Sequence, residues 1–295
     1  MKYAYYPGCS LLGSATEYAR SSEATLRALS VELEEIEDWV CCGATAAHAT
    51  SHLLSLALPA ISCSAAEKKG LDVLTCCTAC YSRLKQANHE IANDPALRSQ
   101  VNQIIEEDYQ GNVRVLHIAE VLSNELGLDA VRGCVSRPLE GLKIACYYGC
   151  LMARLPDHLR VDRAEYPMML DDLMRAAGAE VIDWPYKTEC CGAGLTLARQ
   201  KTVVRLSGDI IQIAKESGAE ALAVACPLCQ ANLDMYQSNV EVQTGRSLGI
   251  PVLYFTQLLG LALGATPAEL GLEKLIVDPL PLLAEKGLVS GGVYL

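Results

Sequence analysis

The chain has 295 residues, 51% of them hydrophobic, with 14 cysteines and a formal net charge of −11. An acidic surface repels phosphate backbones, so the composition argues against nucleic acid as a partner. The longest apolar stretch, residues 250–264, contains Pro251 and Gln257 and is too short to span a bilayer; with no targeting segment evident, we expect a cytoplasmic protein without a transmembrane segment.

The first half of the chain predicts alternating strands and helices. Strands are expected after Met1 and over residues 31–37, 71–75 and 113–116. Ser14 and Glu17 have the spacing of a capping box that would open a helix toward Leu29. Further helical patterns cover residues 51–69 and 80–93, and Pro59 is expected to kink or divide the first of these.

The second half predicts the same alternation. Helices are expected over residues 166–177 and 196–217, the latter closed by Gly218, and strands over residues 180–183, 221–225 and 252–255. Strands that alternate with helices indicate an α/β fold with a mainly parallel sheet in each half.

An internal repeat relates the two halves. "KYAYYPGC" (residues 2–9) aligns with "KIACYYGC" (residues 143–150), and "VLHIAEVLSNELG" aligns with "VLYFTQLLGLALG". Cys-Cys-Gly occurs at residues 41–43 and 190–192, and a Cys-x-x-Cys follows each at equal spacing. Residues 128–141 match neither half. We therefore predict two similar domains, residues 1–135 and 136–295, related by a pseudo-twofold axis.

Each half carries five matched cysteines near predicted strand ends, where open α/β sheets usually bind ligands. Soft thiolates suit zinc or an iron–sulfur cluster, but structural zinc and a regular cubane cluster each take four protein ligands. A thioredoxin-like dithiol would leave the Cys-Cys-Gly motifs without a role. The pattern favours iron–sulfur, with zinc in at least one half and disulfide chemistry as alternatives.

The double pattern Cys…Cys-Cys-Gly…Cys-x-x-Cys resembles the CCG-domain family, above all the B subunit of heterodisulfide reductase. "DVLTCCTACYSRLKQAN", "YKTECCGAGLTLAR" and "ALAVACPLCQANLD" also resemble that subunit, and the resemblance extends from Lys2 to about Gly271. It implies two non-cubane [4Fe-4S] clusters with five cysteine ligands each. One would take Cys9, Cys41, Cys42, Cys77 and Cys80; the other would take Cys150, Cys190, Cys191, Cys226 and Cys229.

The resemblance also implies an activity and partners. The family reduces a disulfide between two thiol coenzymes (CoM-S-S-CoB) or a related disulfide, beside a ferredoxin-like C-type subunit with [4Fe-4S] clusters and a flavin-containing A-type subunit. This chain has no G-x-G-x-x-G fingerprint for a flavin or nicotinamide of its own. The alternative is an electron-transfer subunit of a glycolate- or lactate-oxidation or sulfur-metabolism complex.

Four cysteines lie outside the two sets. Cys76 adjoins Cys77 and could replace it, although the repeat spacing favours Cys77. Cys146 aligns with Tyr5 and is expected in the core. Cys63 and Cys134 have no counterpart in the repeat, and we expect both to be buried as small hydrophobic residues.

Basic residues cluster near the second set. Arg154, Lys187 and Arg199 lie within a few positions of its cysteines, whereas the region before Cys41 is acidic. This asymmetry suggests an anionic substrate with its charged group toward the second half. His48 and His52 follow the first Cys-Cys-Gly, but surface or capping roles are favoured, and neither is assigned to the site.

Overall fold

The structure, a computed structural model, describes residues 1–44, 46–245 and 247–290, without the side chain of residue 244. Its eight described strands form two parallel four-stranded sheets. The first half contributes β1 Lys2–Tyr6, β2 Glu32–Glu35, β3 Val73–Thr75 and β4 Val115–His117. The second contributes β5 Lys143–Tyr147, β6 Glu180–Val181, β7 Ala221–Val224 and β8 Val252–Tyr254.

The two sheets have the same topology. Their strand orders are β2-β1-β3-β4 and β6-β5-β7-β8, so the first strand of each half lies between the second and the third. The predicted α/β class with parallel sheets is confirmed, and the matching orders agree with an internal duplication.

Helices flank both sheets. The first half has α1 Gly8–Leu12, α2 Thr16–Ala28, α3 Ala47–Thr50, α4 His52–Lys69, α5 Thr78–Asn93, α6 Pro95–Ile105, α7 Ile118–Glu120, a π-helical segment Val121–Gly127 and α8 Leu128–Gly133. The second half has α9 Gly149–Ala153, α10 Met169–Ala176, α11 Gln200–Glu216, α12 Pro227–Met235, α13 Gln237–Thr244, α14 Phe255–Ala262 and α15 Leu280–Glu285. None of the helices in the described ranges is long and apolar enough to cross a membrane.

One local prediction is wrong, and one of the two outcomes expected for Pro59, division of the helix, does not occur. The Ser14–Glu17 capping box does not form, because α2 begins after Ala15 without a side-chain cap and Glu17 is buried. Helix α4 runs through Pro59 without division, and the break lies instead at Ser51, whose side chain accepts a hydrogen bond from Leu54 N. Tertiary packing and this N-cap, rather than the proline, set the helix boundaries.

Three predicted elements are shorter than expected. The helix predicted over residues 196–217 begins only at Gln200, after a short 3-10 turn at residues 193–195. The predicted strands at residues 31–37 and 180–183 shrink to β2 and β6, which are the outer strands of their sheets. Outer strands have one pairing partner, so their ends are less constrained.

The halves exchange helix contacts. Helix α14 of the second half packs on α2 of the first, where Ser21 Oγ lies 2.8 Å from Thr256 Oγ1 and Thr25 Oγ1 donates to Thr256 O at 3.0 Å. Reciprocally, the helical segment of residues 118–133 packs on α10. Each half therefore completes the core of the other, as a pseudo-twofold relation would require. The division at residue 135 stays a prediction; it falls in the irregular segment between α8 and β5.

Candidate metal centre

The ten predicted cysteines all lie in the segments that follow the carboxyl ends of strands. In the first half they follow β1, β2 and β3, and in the second they follow β5, β6 and β7. Because parallel strands end at the same edge, each sheet gathers five thiols there. We call these the first set (Cys9, Cys41, Cys42, Cys77 and Cys80) and the second set (Cys150, Cys190, Cys191, Cys226 and Cys229).

Within each set the thiols are linked in pairs. The Sγ atoms of Cys42 and Cys80 are 3.4 Å apart, and those of their counterparts, Cys191 and Cys229, are also 3.4 Å apart. In the second set Cys150 and Cys190 are 3.9 Å apart. All fourteen cysteines are free thiols, since these separations far exceed the ~2.05 Å of a disulfide bond.

Burial follows the same pattern in both sets. The second cysteine of each Cys-Cys-Gly and both cysteines of each Cys-x-x-Cys are buried. The remaining thiols are more open: Cys9, Cys41 and Cys190 are exposed, and Cys150 is half-buried. Each set therefore has three inner thiols and two outer ones that face the exterior.

Hydrogen bonds between thiols favour ionisation in each set. The hydrogen bond with Cys80 lowers the pKa of Cys42 to about 7, and the hydrogen bond with Cys229 lowers the pKa of Cys191. The pKa of Cys226 also lies well below its usual value, chiefly through its own hydrogen bond with Cys229. Thiolate is the form that binds metals, so these three positions are suited to ligation.

Glycines hold the inner thiols close to the backbone. Gly8 and Gly149 both have positive φ, at +70° and +68°, and a Cβ on them would come within 3.0 Å of Cys80 Sγ and 3.1 Å of Cys229 Sγ. This role was not predicted from the sequence, although both glycines occupy the same column of the repeat. The glycines of the Cys-Cys-Gly motifs also have positive φ and turn the chain toward the next helix.

A tyrosine clamps each Cys-Cys loop, and this role too was missed. At the end of β1, Tyr6 OH donates to Val40 O at 2.7 Å; at the end of β5, Tyr147 OH donates to Glu189 O at 2.6 Å. The accepting carbonyl in each half belongs to the residue immediately before the Cys-Cys-Gly. These tyrosines thus fix the loops that present the paired cysteines.

The two sets meet at the boundary between the halves. The thiols of Cys77 and Cys226 interact across it, and this contact is the main cause that raises the pKa of Cys77. Tyr18 OH lies 2.9 Å from Cys76 O and 3.2 Å from Ala225 O. These two contacts join the two Cys-x-x-Cys loops. His117 Nδ1 accepts from Ala119 N, so its Nε2–H donates to Cys76 O at 2.8 Å.

The cysteines outside the sets have separate environments. Cys76 is fully buried near the hydroxyl groups of Tyr5 and Ser22, away from the thiols that Cys77 contacts. Cys146 and Cys63 are buried, as predicted. The prediction for Cys134 is wrong: it is exposed, because it follows α8 in the irregular segment between the halves.

A cavity of about 330 Å³ opens beside the second set. Both halves line it: Cys150, Cys190, Cys191, Cys226 and Cys229 come from the second, and Ala44, His48, Thr78, Ala79 and Arg83 from the first. The cavity is therefore a crevice between the halves rather than a pocket within one of them.

The basic residues near the second set are not arranged as expected. Lys187 is buried and paired with Asp171 at 2.6 Å, so it is not free to bind a substrate. Arg154 and Arg199 are exposed and do not line the cavity. The arginine that lines it is Arg83, from the first half, which the sequence analysis missed because it is distant in sequence from every second-set cysteine.

The two histidines differ as well. His48 lines the cavity, whereas His52 lies on the surface with its Nε2 3.1 Å from Glu90 Oε2.

The donor chemistry fits a multi-iron group better than single metal ions. In the described part of the chain, no three thiols converge closely enough to hold one metal ion. A structural zinc needs four ligands around one point, whereas a cluster distributes its thiolates over several irons. The linked thiol pairs match the requirement of a cluster. So does the space that the glycines leave beside Cys80 and Cys229.

Comparison with known proteins gives a consistent result. The family profile described as a cysteine-rich domain, CCG, matches residues 3–85 and 144–234, one match in each half. The chain is 33% identical to the 8-methylmenaquinol:fumarate reductase membrane anchor subunit of Wolinella succinogenes, over 95% of this chain and 99% of that protein. It is 30% identical to the B subunit of the ferredoxin/F(420)H(2)-dependent CoB-CoM heterodisulfide reductase of Methanosarcina acetivorans, over 99% of both chains.

A solved structure shares the fold. The crystal structure of a hypothetical protein from Helicobacter pylori aligns with a TM-score of 0.75 and 13% sequence identity, over 94% of this chain. This chain spans 52% of the solved one. At that identity the likeness concerns the fold alone.

Proposed function

The chain belongs to the family of duplicated cysteine-rich CCG domains that includes heterodisulfide reductase B subunits, and we propose that it is the B-type subunit of a redox complex that reduces a small-molecule disulfide to two thiols. Full-length relatives are subunits of reductases, which supports an iron–sulfur, electron-transferring role in a complex. The observation that carries the proposal is the presence of two matched five-thiol sets that touch through Cys77 and Cys226, the second of which lines a cavity between the halves.

The residues of the first and second sets would each hold one [4Fe-4S] cluster of the non-cubane type. When bound, the clusters would supply electrons one at a time. Reduction of R–S–S–R′ breaks one S–S bond, consumes two electrons and two protons, and yields RSH and R′SH. Two electron sources within one subunit would avoid release of a one-electron sulfur radical. The electrons must come from a partner, for which we propose a ferredoxin-like subunit served by a flavin subunit.

This chain's own residues bind and orient the disulfide. The cavity wall combines apolar side chains such as Ala44, Leu151 and Leu228 with the thiol-bearing loops. Tyr6 and Tyr147 fix those loops, so the reacting edge is preorganised. Protons can enter from the open side, where His48 is exposed.

Exposed leucines near the outer thiols support a partner surface. Leu12 lies three residues after Cys9, Leu151 follows Cys150, and Leu197 is fully exposed in the loop after the second Cys-Cys-Gly. We propose that these exposed apolar side chains contribute to the contact with the partner subunit. A cytoplasmic location belongs to the same proposal, because fourteen free thiols persist in a reducing compartment.

The test uses the chain purified anaerobically with the subunits that accompany it. We expect about eight irons and eight acid-labile sulfides per chain, and reduction of 3,3′-dithiodipropionate by reduced methyl viologen. Stoichiometric zinc without iron would overturn the cluster assignment and favour a zinc-binding module.

A second candidate is an electron-transfer subunit without disulfide chemistry. The observation that favours it is the 33% identity to a subunit of a methylmenaquinol:fumarate reductase, whose name involves no disulfide. Iron–sulfur content with rapid reduction by a donor, but without thiol release from any disulfide, would select this candidate. Lactate- or glycolate-oxidation complexes belong to the same alternative.

A further inference from the structure

Arg83 is a half-buried arginine without an evident structural partner. It lies on the second turn of α5, and within the described residues its guanidinium makes no hydrogen bond or ion pair. Other arginines of the same chain do have partners: Arg114 pairs with Asp72 and Glu125, and Arg20 with Glu273. Arg83 lines the cavity without an ion-pair partner among the described residues, so its charge is available to an anion that binds there.

In the described part of the chain, the wall around Arg83 contains no competing acid. Among the described residues that line the cavity, Arg83 is the only Lys or Arg, and none is Asp or Glu. The chain as a whole carries 35 acidic residues against 24 basic ones, so a wall free of carboxylates departs from the rest of the surface. The electrostatic character of the cavity therefore favours an anion.

Two helices add to the positive electrostatic potential of the cavity. Helix α5, of 16 residues, begins at the cavity with Thr78 and Ala79, and α12, of nine residues, places Leu228 there in its first turn. Helix N-termini carry partial positive charge that stabilises anions. Together with the Arg83 guanidinium they give the cavity a positive electrostatic character.

We infer that Arg83 is the substrate-orienting residue of the site: it binds the carboxylate, sulfonate or phosphate group of a small organic disulfide, so that the S–S bond faces the second thiol set. This inference rests on the proposed function and names the substrate class for it. Arg83 reaches the second set from the first half, so substrate binding requires both halves. The same cavity is lined by all five second-set thiols, so the substrate would bind beside the cluster that they hold.

A different role for Arg83 makes different predictions. Its charge also acts on Cys42, so it could serve only to balance the negative charge of the first set. In that role its removal would change the reduction potential of the first cluster and leave discrimination between ligands unchanged. In the substrate role, its removal would abolish a preference for anionic ligands.

The experiment measures ligand binding and kinetics separately in the holoprotein. The probes are 3-mercaptopropionate and its neutral analogue 3-mercaptopropanol, titrated anaerobically while the EPR and visible spectra of the clusters are recorded. We expect the carboxylate to bind the wild type ten- to a hundredfold more tightly, as a charge-assisted pair would provide. Arg83→Met should lose this preference with binding of the neutral thiol unchanged, and Arg83→Lys should retain part of it.

The matched control is Arg205→Met, because Arg205 is an exposed arginine on α11 that does not line the cavity. It should behave as the wild type. For turnover, 3,3′-dithiodipropionate is compared with bis(3-hydroxypropyl) disulfide. Arg83→Met should raise KM for the first by at least tenfold and leave the second unchanged, with kcat altered less than KM.

The outcomes test the anion-binding role of Arg83 separately from the proposed disulfide reduction. Equal binding of both thiols by the wild type, or an anion preference that persists in Arg83→Met, overturns the role of Arg83 whether or not disulfides are reduced. If Arg83→Met loses its clusters, the wild-type preference and its partial retention in Arg83→Lys still decide the question. An Arg83-dependent preference without reduction of either disulfide supports the anion site and overturns the proposed reaction.

Discussion

Lys187 Nζ lies 2.6 Å from Asp171 Oδ1, and both side chains are only 1% exposed. Tyr148 OH donates to the other carboxylate oxygen at 2.6 Å, while the backbone N–H groups of Tyr148 and Gly149 donate to Lys187 O. This buried unit thus fixes the turn that leads into Cys150. The residue that aligns with Tyr148 in the first half is Pro7, which lacks a hydroxyl group. This unit therefore supports the second set alone.

Replacement of Lys187 by Met should strongly destabilise the protein. It would leave the Asp171 carboxylate buried without its cation, at a cost of about 3–5 kcal/mol in the free energy of unfolding. Thermal unfolding followed by circular dichroism measures this change. The double variant Lys187→Met/Asp171→Asn, which removes both charges, should recover part of it. Equal thermal midpoints for Lys187→Met and the wild type would contradict the structural role of the pair.

Substitution of Gly8 or Gly149 by Ala should displace an inner thiol. The added Cβ would contact Cys80 Sγ or Cys229 Sγ, so each variant should lose about half of the iron and the EPR signal of its own half. Gly70→Ala is the matched control, since Gly70 also has positive φ but has nothing within 4 Å of the added carbon. If Gly70→Ala loses as much iron as Gly8→Ala, backbone strain rather than the thiol contact is responsible.

Removal of either clamp hydroxyl should have a smaller, local effect. Tyr6→Phe or Tyr147→Phe deletes one hydrogen bond to the carbonyl before a Cys-Cys-Gly, which costs about 1 kcal/mol of stability. The two losses should be additive in the double variant, because the tyrosines belong to separate sets. Each single variant should broaden the EPR signal of one cluster only. Broadening of both signals by Tyr6→Phe would contradict this local role.

Much of this arrangement was predictable from the sequence. The repeat of "YPGC" and "YYGC" and the equal spacing of the cysteine motifs predicted the α/β halves and the gathering of the thiols at the strand ends. These features depend on local order along the chain. The cavity-lining role of Arg83 was not predictable, because it depends on how one half packs against the other. The same is true of Lys187: its proximity to Cys190 suggested a free cation, but its partner Asp171 comes from a different element.

Cysteine substitutions should reveal the contact between the sets. Cys42→Ser should affect only the cluster of the first half, as separate ligand sets require. Cys77→Ser should instead alter the EPR signals of both clusters, because Cys77 interacts with Cys226 across the boundary. EPR spectra of freeze-quenched samples of both variants measure this difference. Iron content is measured in parallel. Identical, single-cluster effects of the two substitutions would show that the contact does not couple the sites.

The buried His117 should make stability sensitive to mild acid. Burial lowers its pKa to about 4, whereas an unfolded histidine titrates near 6.5. Between these values the unfolded chain binds the extra proton, so stability is complete above pH 6.5 and falls as the pH drops toward 4, by up to ~3 kcal/mol. The thermal midpoint of His117→Gln should therefore decline less between pH 7 and 5 than that of the wild type. His158→Gln, at an exposed position, should decline as the wild type does.

The exchanged helices have an evolutionary consequence. Helix α14 covers α2, and the segment after β4 covers α10, so a single repeat unit would leave an apolar helix face open to water. The ancestral unit would have needed a second copy of itself, and the present chain corresponds to such a homodimer joined into one polypeptide. Fusion fixes the pairing of the copies and lets them diverge. His117 and Tyr254, which occupy the same capping position at the ends of β4 and β8, are an example of that divergence.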